Sequence, residues 1–517
     1  MLVPWTFIAL VGALLGAAKA SGPAADAQAG PLPAIPGANS SIPSHIWGFA
    51  GSAFQSEGSV SADGRAPSVW DKWSHNSSVC CQGGLNADTA ADGYKRYAED
   101  IAIMKRLGAQ AYRFSVSWSR IYPQGTGAVN QAGLAFYNNL VNAVIAAGMI
   151  PIGTLYHWDL PQALFDKYGG WTNAQIINDF NAYADTIFNA LGDRVKLWLT
   201  MNEPYSECYQ GYNGGKWPPG ITNNISAQLV CDHNHILAHA TAVNTYKTKY
   251  HSQGGRISWV YVCDWNEPLN ATSPADQAAS QAALEFEIAR YADPIYTGDY
   301  PASMRSTYGD QLPAFTAQQK ALVLGSADFF GLNVYTAYYV QACSGSLYCR
   351  VNGPPGANTI TNDAGFVIGG VQTGTSWFFY APMAMRRNIN WIHKRYACPI
   401  FVTENGFSMY GEAGMTTEQA VNDTARVQFF KDYLYQLDLA ITQDKIDVMG
   451  YLAWSIVDNF EWTSAYSERF GVVHIDYPSF PATMGGVAGV GNGTLTRTPK
   501  QSATFLSTYF ANYTWGS

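Results

Sequence analysis

Short runs of apolar residues recur along the chain after residue 44, and most are followed by a segment with apolar residues three and four positions apart. The runs have the length of buried strands, and the three- and four-residue spacing is that of an amphipathic helix. The pattern therefore predicts strands that alternate with helices. The candidate strands are Ile46–Phe54, Ala109–Val116, Ile150–His157, Lys196–Met201, Ile257–Cys263, Phe329–Val334, Pro399–Thr403 and Val448–Trp454, and the clearest candidate helices are Ala90–Leu107, Gln131–Ala147, Ala174–Leu191 and Leu229–Tyr250.

This alternation predicts an α/β protein with a parallel sheet. Eight strand–helix units fit a closed (β/α)8 TIM barrel, in which the active site lies at the carboxyl ends of the strands. An open, doubly wound sheet is the alternative, although no glycine fingerprint for a nucleotide follows the first strand. Because no break in composition follows residue 44, we predict a single barrel domain over residues 45–517, with long loops after the strands.

The first 44 residues differ from the rest of the chain. Val3 to Ala18 is nearly all apolar and leads into Ala18-Lys19-Ala20, a small-x-small cleavage pattern, so residues 1–20 are predicted to be a signal peptide. The apolar run is too short for a comfortable membrane span, and no membrane partner is predicted. Residues 21–44 are rich in Ala, Pro, Gly and Ser, which is typical of a flexible linker or a pro-segment.

Sequons and cysteines agree with export, so we predict a secreted glycoprotein. The eight cysteines are an even number. Cys343 and Cys349 bracket a short polar loop and could pair locally, and Cys208 and Cys231 could close a loop rich in Gly and Pro; the remaining connectivity stays open. The Asn-x-Ser/Thr sequons begin at Asn39, Asn76, Asn224, Asn270, Asn422, Asn492 and Asn512.

Charge and motifs exclude several classes of partner. The net charge is −8 and no long basic run occurs, so nucleic acid is not an expected partner. No Gly-rich phosphate loop follows a strand and no His/Cys cluster has metal spacing, so no cofactor or metal is predicted. His233, His235 and His239 could form a zinc face on one helix, but without the Glu of the protease pattern polar helix residues are the favoured interpretation. The oligomeric state is not predicted.

Two glutamates stand where predicted strands end. The fourth strand runs into Thr200-Met201-Asn202-Glu203-Pro204 and the seventh into Thr403-Glu404-Asn405-Gly406, which places a carboxylate at the mouth of the barrel in each case. Cleavage of a glycosidic bond needs two carboxyl groups beside it, one protonated and one ionised. Either Glu alone could belong to a turn or a helix cap, but the pair favours a glycosidase in a chain whose 16 Trp and 32 Tyr offer rings for stacking on sugars.

Several further segments, together with the two Glu motifs, resemble those of glycoside hydrolase family 1 β-glucosidases in the same order. They are Phe49–Gly58 (FAGSAFQSEG), Tyr112–Arg120 (YRFSVSWSR), Tyr156–Gln162 (YHWDLPQ), Trp454–Trp462 (WSIVDNFEW) and Arg497–Lys500 (RTPK). The resemblance extends from Ile42 to Tyr509. It implies a (β/α)8 barrel and a retaining β-glycosidase that acts on a β-glucoside or a short β-linked oligosaccharide without a metal or organic cofactor.

The resemblance also implies roles for individual residues. Glu404 would attack the anomeric carbon, and Glu203 would serve first as acid and then as base. Arg113 and Tyr335 would lie beside Glu404 and favour its ionised form. The implied substrate contacts are Gln55, His157, Asn202, Glu461 and Trp462 to sugar hydroxyls, Trp454 as the platform under the sugar, Tyr335 beside it, and Trp377 on the aglycone side.

Two other glutamates near these motifs are not predicted to be catalytic. Glu267 lies in Trp265-Asn266-Glu267-Pro268, which repeats the Asn-Glu-Pro triplet after the fifth candidate strand. The family has a non-catalytic Trp-x-Glu-Pro element at this point, and the preceding Thr is absent. Glu57 is interpreted as structural.

Some positions bear on specificity. Glu461 argues against the 6-phospho-β-glycosidase branch of the family, and Glu203 argues against plant thioglucosidases. Pro382-Met383-Ala384 departs from the Pro-Glu-Gly that is common in the family and leaves the aglycone preference open. A transglycosylase with the same intermediate is one alternative, and a non-catalytic glycan-binding relative is another, although such relatives usually lose one of the two glutamates.

Overall fold

A closed barrel of parallel strands lies at the centre of the protein. The computed structural model describes residues 45–513 apart from 77, 79, 82, 83, 352, 354, 355, 484 and 485, so the predicted signal peptide (1–20) and linker (21–44) lie outside the described residues. The barrel strands are β1 (Ile46–Ala50), β2 (Ala111–Ser115), β3 (Ile150–Tyr156), β4 (Leu197–Asn202), β5 (Arg256–Val262), β6 (Phe330–Asn333), β7 (Ile400–Asn405) and β8 (Val448–Trp454). Because β1 pairs with both β2 and β8, the sheet closes, which confirms the (β/α)8 TIM barrel and excludes the open sheet.

The strand boundaries follow the sequence prediction with one clear exception. β8 has the predicted bounds, and most other strands differ by one or two residues. β1 is shorter than predicted, because the chain turns after Ala50 and a short helix begins at Ala53. The N–H of Ala53 donates to the Ser115 hydroxyl at the end of β2 (2.7 Å), so Phe54 is helical and the strand prediction is wrong there.

Helices surround the barrel, and their apolar stripes face it. In Gln175–Leu191 the buried residues recur three and four positions apart, as predicted. Ile225–Lys249 begins four residues before the predicted start, because Asn224 accepts the N–H of Ala227 and caps it (2.9 Å). No described helix is both long and apolar enough to cross a bilayer. The α-helices are Ala53–Ser56, Val69–Ser74, Gly93–Arg106, Trp118–Ile121, Gln131–Ala146, Gln162–Tyr168, Gln175–Leu191, Pro204–Tyr212, Ile225–Lys249, Pro274–Leu284, Arg290–Thr297, Ala302–Tyr308, Ala317–Val323, Met383–Tyr396, Thr417–Val421, Thr424–Thr442 and Gln501–Asn512.

Small sheets stiffen the loops that follow the barrel strands. One has three strands, Trp265–Pro268, Ala337–Cys343 and Ser346–Val351. The paired strands are Thr359–Thr361 with Val367–Gly369, Val473–Ile475 with Arg497–Pro499, and Pro478–Phe480 with Gly489–Asn492.

Both predicted disulfide pairs are present. Cys208–Cys231 (Cα–Cα 5.7 Å) joins the helix after β4 to the next helix, and Cys343–Cys349 (5.9 Å) closes a hairpin. The adjacent residues Cys80 and Cys81 form a further pair that the sequence analysis did not identify.

The histidines of the helix Ile225–Lys249 have separate protein partners, which fits their interpretation as polar helix residues. His233 Nδ1 lies 3.0 Å from the Tyr300 hydroxyl, His235 Nε2 lies 3.2 Å from Glu207 Oε2, and His239 Nδ1 lies 2.7 Å from Thr200 Oγ1.

A buried ion pair anchors the loop that follows β8. Lys500, in the closing segment of the chain, donates to Asp458 Oδ1 (2.8 Å) and also to Glu412. The carboxylate of Asp458 in turn accepts the N–H of Gly471 (3.1 Å), across the loop. The loop that carries Glu461 and Trp462 is thereby held from both ends.

Candidate active site

Glu203 lies where β4 ends and the helix Pro204–Tyr212 begins. Its backbone is in the left-handed region (φ 40°), a strained conformation that is concentrated at functional sites in proteins. Pro204 suits the first turn of the helix, where a backbone N–H has no partner in any case. The side chain is buried, and its Oε1 and Oε2 accept hydrogen bonds from Asn333 Nδ2 (2.7 Å) and Ser206 Oγ (2.9 Å). Both partners are neutral.

Glu404 lies inside β7, opposite Asn333 of β6, where the register between the two strands shifts. Its carboxylate is also buried, but one of its partners is a cation. Arg113 Nη1 donates to Oε1 (2.6 Å), and the Tyr335 hydroxyl donates to Oε2 (2.7 Å). Arg113 is held in place because its Nε donates to Thr154 Oγ1 (3.0 Å).

One continuous hydrogen-bond network joins the two carboxylates. From Glu404 it passes to Arg113, whose Nη2 donates to Asn202 Oδ1 (2.7 Å). Asn333 Nδ2 donates to the same oxygen (3.2 Å) and to Glu203. The two glutamates therefore line one shared space at the carboxyl ends of β4, β6 and β7.

The surroundings push the two carboxyl groups toward opposite protonation states. Burial, followed by repulsion from Glu404, raises the pKa of Glu203 to about 8. Burial also raises the pKa of Glu404, but Arg113 and the Tyr335 hydroxyl oppose that rise because both favour the ionised carboxylate. A single proton shared by this pair therefore resides on Glu203 near neutral pH.

Asn202 and His157 are buried neighbours that hydrogen-bond to each other beside Arg113. Because Asn202 Oδ1 accepts from Arg113, its amide nitrogen is assigned as the donor to His157 Nε2 (3.2 Å). Burial and Arg113 hold the pKa of His157 well below its usual range, so the ring is neutral. Its proton then sits on Nδ1, which is buried and lacks a partner in the described part of the chain.

Gln55 and Glu461 form a second polar group on the other side of the mouth. Gln55 lies on the short helix after β1, and its Nε2 donates to Glu461 Oε2 (3.1 Å) and to Asn459 Oδ1 (3.2 Å). Burial raises the pKa of Glu461 well above its usual range, and the charge of Glu468 raises it further. Carboxyl and amide groups placed side by side match the neighbouring hydroxyls of a pyranose.

Aromatic rings line the floor and wall of the site. The His157 ring lies parallel to Trp454 (centroids 5.8 Å apart, 15°) and to Trp462 (5.9 Å, 14°). Trp462 packs in turn on Trp158 at 4.6 Å. Trp377 stands at the rim, 41% exposed, with its edge against Tyr335 at 6.0 Å. Every predicted site residue thus lies at or beside the barrel mouth.

The two glutamates that were set aside have structural partners. Glu267 lies on the small sheet outside the barrel, and its Oε2 accepts the indole N–H of Trp265 (2.6 Å). Glu57 accepts from Arg120 Nε (3.0 Å) and from the Tyr137 hydroxyl (2.6 Å).

Two residues of the site were missed by the sequence analysis. Asn333, which ends β6, bonds to Glu203, and its only signal in the sequence is a polar residue near the end of a predicted strand, two positions before Tyr335. Glu468 is buried and accepts from Ser408 Oγ (2.7 Å), and burial raises its pKa to about 7. No local pattern identifies Glu468, because a long loop brings it to the site.

Known β-glucosidases are similar to this chain over most of its length. The model of glycosyl hydrolase family 1 matches residues 39–513. Beta-glucosidase 34 of Oryza sativa subsp. japonica is 43% identical over 84% of this chain and 88% of its own length. The structure of β-glucosidase 2 from Trichoderma reesei, in complex with Tris, is 40% identical with a TM-score of 0.82 and covers 91% of this chain and 99% of its own. The structure of a rice Os3BGlu6 β-glucosidase mutant in a covalent complex with Glc is 37% identical with a TM-score of 0.81 and covers 90% and 98%.

Proposed function

Because the chain belongs to glycosyl hydrolase family 1 and is a glycosyl hydrolase, we propose that it removes terminal non-reducing β-D-glucosyl residues by double displacement with retention. One observation carries the proposal. Two buried glutamates face one space through a common hydrogen-bond network, and only one of them is paired with a cation. This arrangement suits one nucleophile and one acid, as the retaining mechanism requires.

In the first step, the ionised Glu404 attacks the anomeric carbon and forms an ester while the bond to the leaving oxygen breaks. Glu203 gives its proton to that oxygen, so the aglycone departs as a neutral alcohol. Arg113 and Tyr335 hold the nucleophile in its charged form and aim it, since they occupy both carboxylate oxygens.

In the second step, Glu203 is ionised and takes a proton from water, and the water oxygen attacks the anomeric carbon. The ester to Glu404 breaks, and the sugar leaves with its original β configuration. The rice relative in covalent complex with Glc supports an intermediate of this kind.

The sugar is held by the groups around the two carboxylates. Asn202 and His157 would meet hydroxyls from one side, and Gln55 and Glu461 from the other, while Trp454 lies under the ring. Buried groups that are left unpaired by a wrong sugar cost binding energy, which makes such a site selective.

A 2-deoxy-2-fluoro-β-glucoside with a good leaving group should label the protein once, on Glu404. The fluorine disfavours the oxocarbenium-like transition states of both steps, while the good leaving group lets the first step proceed, so the ester accumulates. Peptide mass spectrometry locates the label, and a Glu404→Ala variant is the unlabelled control. A label on any peptide that lacks Glu404 would refute the assignment.

We also propose that the protein is exported and carries N-linked glycans. Disulfides persist mainly in oxidising compartments. In each of the two predicted pairs, the two cysteines are bonded to each other. The six sequon asparagines in the described residues are all exposed: Asn76, Asn224, Asn270, Asn422, Asn492 and Asn512.

Protein expressed in a eukaryotic host should therefore be recovered from the medium and should migrate faster in a gel after treatment with peptide N-glycosidase. Asn492→Gln removes one exposed sequon and should reduce the shift by one glycan if that site is used. Retention of the protein in the cell, or a mobility that the enzyme leaves unchanged, would contradict the proposal.

A further inference from the structure

Arg113 fixes the orientation of two side-chain amides beside Glu203. A guanidinium can only donate hydrogen bonds, so the atom of Asn202 that Arg113 Nη2 contacts (2.7 Å) is the amide oxygen. That oxygen also bonds to Asn333 (3.2 Å), and the contacting atom of Asn333 is therefore its amide nitrogen. The Asn333 oxygen faces the other way and accepts the Thr403 hydroxyl (2.8 Å). The amide of Asn333 can therefore present only donors to Glu203.

The two carboxyl oxygens of Glu203 consequently differ in what their partners can do. Oε1 lies 2.7 Å from Asn333 Nδ2, which only donates, so this oxygen is restricted to accepting. Oε2 lies 2.9 Å from the hydroxyl oxygen of Ser206, and that hydroxyl can donate or accept because its hydrogen rotates. A protonated carboxyl group keeps both hydrogen bonds at full strength only when its proton is on Oε2. The proton of the acid therefore belongs on the oxygen that faces Ser206.

The helix Pro204–Tyr212 places Ser206 for this contact. Ser206 lies in the first turn, three residues after Glu203, and its backbone N–H donates to the Glu203 carbonyl (3.1 Å). The backbone and the side chain of Ser206 thus both bind Glu203. Ser206 is partly exposed, and its hydroxyl has no other partner among the described residues, so no competing contact fixes the direction of its hydrogen.

We propose that Glu203 carries its proton on Oε2 and that Ser206 is a positioning residue whose hydroxyl reverses its hydrogen bond between the two steps. This inference rests on the proposed function and deepens it. In the first step the proton passes from Oε2 to the leaving oxygen, which keeps the electron pair of the broken bond, and the Ser206 hydroxyl turns to donate to the new carboxylate. In the second step Oε2 takes a proton from water while the water oxygen bonds to the anomeric carbon, and the hydroxyl turns back.

The Ser206 hydroxyl should stabilise the ionised form of Glu203 more than the protonated form, because a hydrogen bond to a charged acceptor is stronger than one between neutral groups. Removal of this hydroxyl should therefore raise the pKa of Glu203 further. The other charged or titratable groups that act on Glu203 stay in place when Ser206 is replaced. They are Glu404 on β7, Cys263 and Asp264 after β5, Tyr335 after β6 and Glu461 after β8.

The test compares the pH profiles of wild type, Ser206→Ala and Ser206→Thr. In Ser206→Ala, the alkaline limb of kcat/KM for cellobiose should move up by about half to one pH unit, because protonated Glu203 persists to higher pH. With 2,4-dinitrophenyl β-glucoside, whose good leaving group makes the second step limit kcat, the acid limb of kcat should move up as well, because that step needs ionised Glu203. Ser206→Thr keeps the hydroxyl and should keep both limbs at their wild-type pH.

A neutron crystal structure of the wild-type protein locates the proton without any substitution. The crystal is kept at a pH well below the pKa of Glu203, which is about 8, so that the carboxyl group is protonated. The expected result is a deuteron on Oε2 that points to Ser206 Oγ. A deuteron on Oε1 would overturn the inference.

The outcomes separate the inference from the proposed function. Limbs that stay in place or move down in Ser206→Ala, or that move up as far in Ser206→Thr, would show that the hydroxyl does not act on Glu203 as proposed. An equal loss of activity at every pH would mean a structural role and would also overturn the inference. Each of these results leaves β-glucosidase activity in the wild type. A wild-type protein that hydrolyses neither substrate would overturn the proposed function together with the inference.

Discussion

Replacing Glu404 with alanine should lower kcat/KM for a β-glucoside by between about 10⁴- and 10⁶-fold, the range seen when a catalytic nucleophile or its partner is removed. The reason is that Glu404 is the carboxylate held ionised by Arg113 and Tyr335 and aimed into the shared space. Of the two glutamates that the hydrogen-bond network joins, Glu404 is the one bonded to a cation, whereas the partners of Glu203 are neutral. Steady-state kinetics on an aryl β-glucoside measures the loss.

Added azide tests whether Glu404 is the nucleophile. Without the Glu404 side chain, azide can occupy the same place, displace the leaving group from that face and form an α-glucosyl azide, while Glu203 still supplies the proton. The matched control is Glu267→Gln, because Glu267 stands in a second Asn-Glu-Pro triplet but lies outside the barrel. A β-configured azide product from Glu404→Ala, or a comparable loss in Glu267→Gln, would show that the nucleophile has been misassigned.

The Glu404 variant should remain folded. Arg113 loses one partner but keeps Thr154, Asn202 and the Thr403 carbonyl, which share its remaining N–H groups. Removal of one member of a buried ion pair still destabilises a protein, so the melting temperature should fall while the unfolding transition stays cooperative. The far-UV circular dichroism spectrum should match the wild type, which separates loss of chemistry from loss of structure.

The sequence pattern alone was enough to predict the barrel. Each barrel strand buries both of its faces, so its residues form a continuous apolar run in the sequence. Val448–Trp454 shows this most clearly, since the run and the strand coincide. The pattern fails where a polar contact between distant segments ends an element. Ala53 begins a helix because its N–H reaches Ser115, 62 residues away, and the apolar run through Phe54 carries no sign of that contact.

The site residues at strand ends could also be predicted from the sequence, whereas those on long loops could not. Glu203 and Glu404 stand at strand ends, so their positions at the barrel mouth follow from the fold. Glu468 comes from a loop that folds back on Ser408, and no local pattern in the sequence predicts that contact. The division of labour between the two catalytic candidates was likewise not readable from spacing, because it depends on which carboxylate Arg113 reaches.

Replacing Glu203 with alanine should affect substrates according to their leaving group. General acid catalysis contributes typically about 10²–10⁴-fold, so kcat/KM for a poor leaving group such as an alkyl alcohol or a sugar should fall in that range. A 2,4-dinitrophenyl β-glucoside needs little help from an acid, and its first step should be nearly unchanged. Glu203→Gln keeps one acceptor oxygen, which can serve either Asn333 or Ser206, and is the variant of matched shape.

The Glu203→Ala variant should also lose the alkaline limb of the pH profile of kcat/KM. In the wild type, only enzyme with a protonated Glu203 can donate to the leaving oxygen, and the pKa of Glu203 is raised to about 8, first by burial and then by Glu404. We therefore expect kcat/KM for a poor leaving group to fall as the pH rises through about 8, because Glu203 loses its proton there. With 2,4-dinitrophenyl β-glucoside, kcat/KM of the Glu203→Ala variant should show no such fall. Added azide should attack the ester on Glu404 in this variant and give a β-glucosyl azide. Equal losses for all leaving groups, or an alkaline limb that persists without Glu203, would place the acid on another residue.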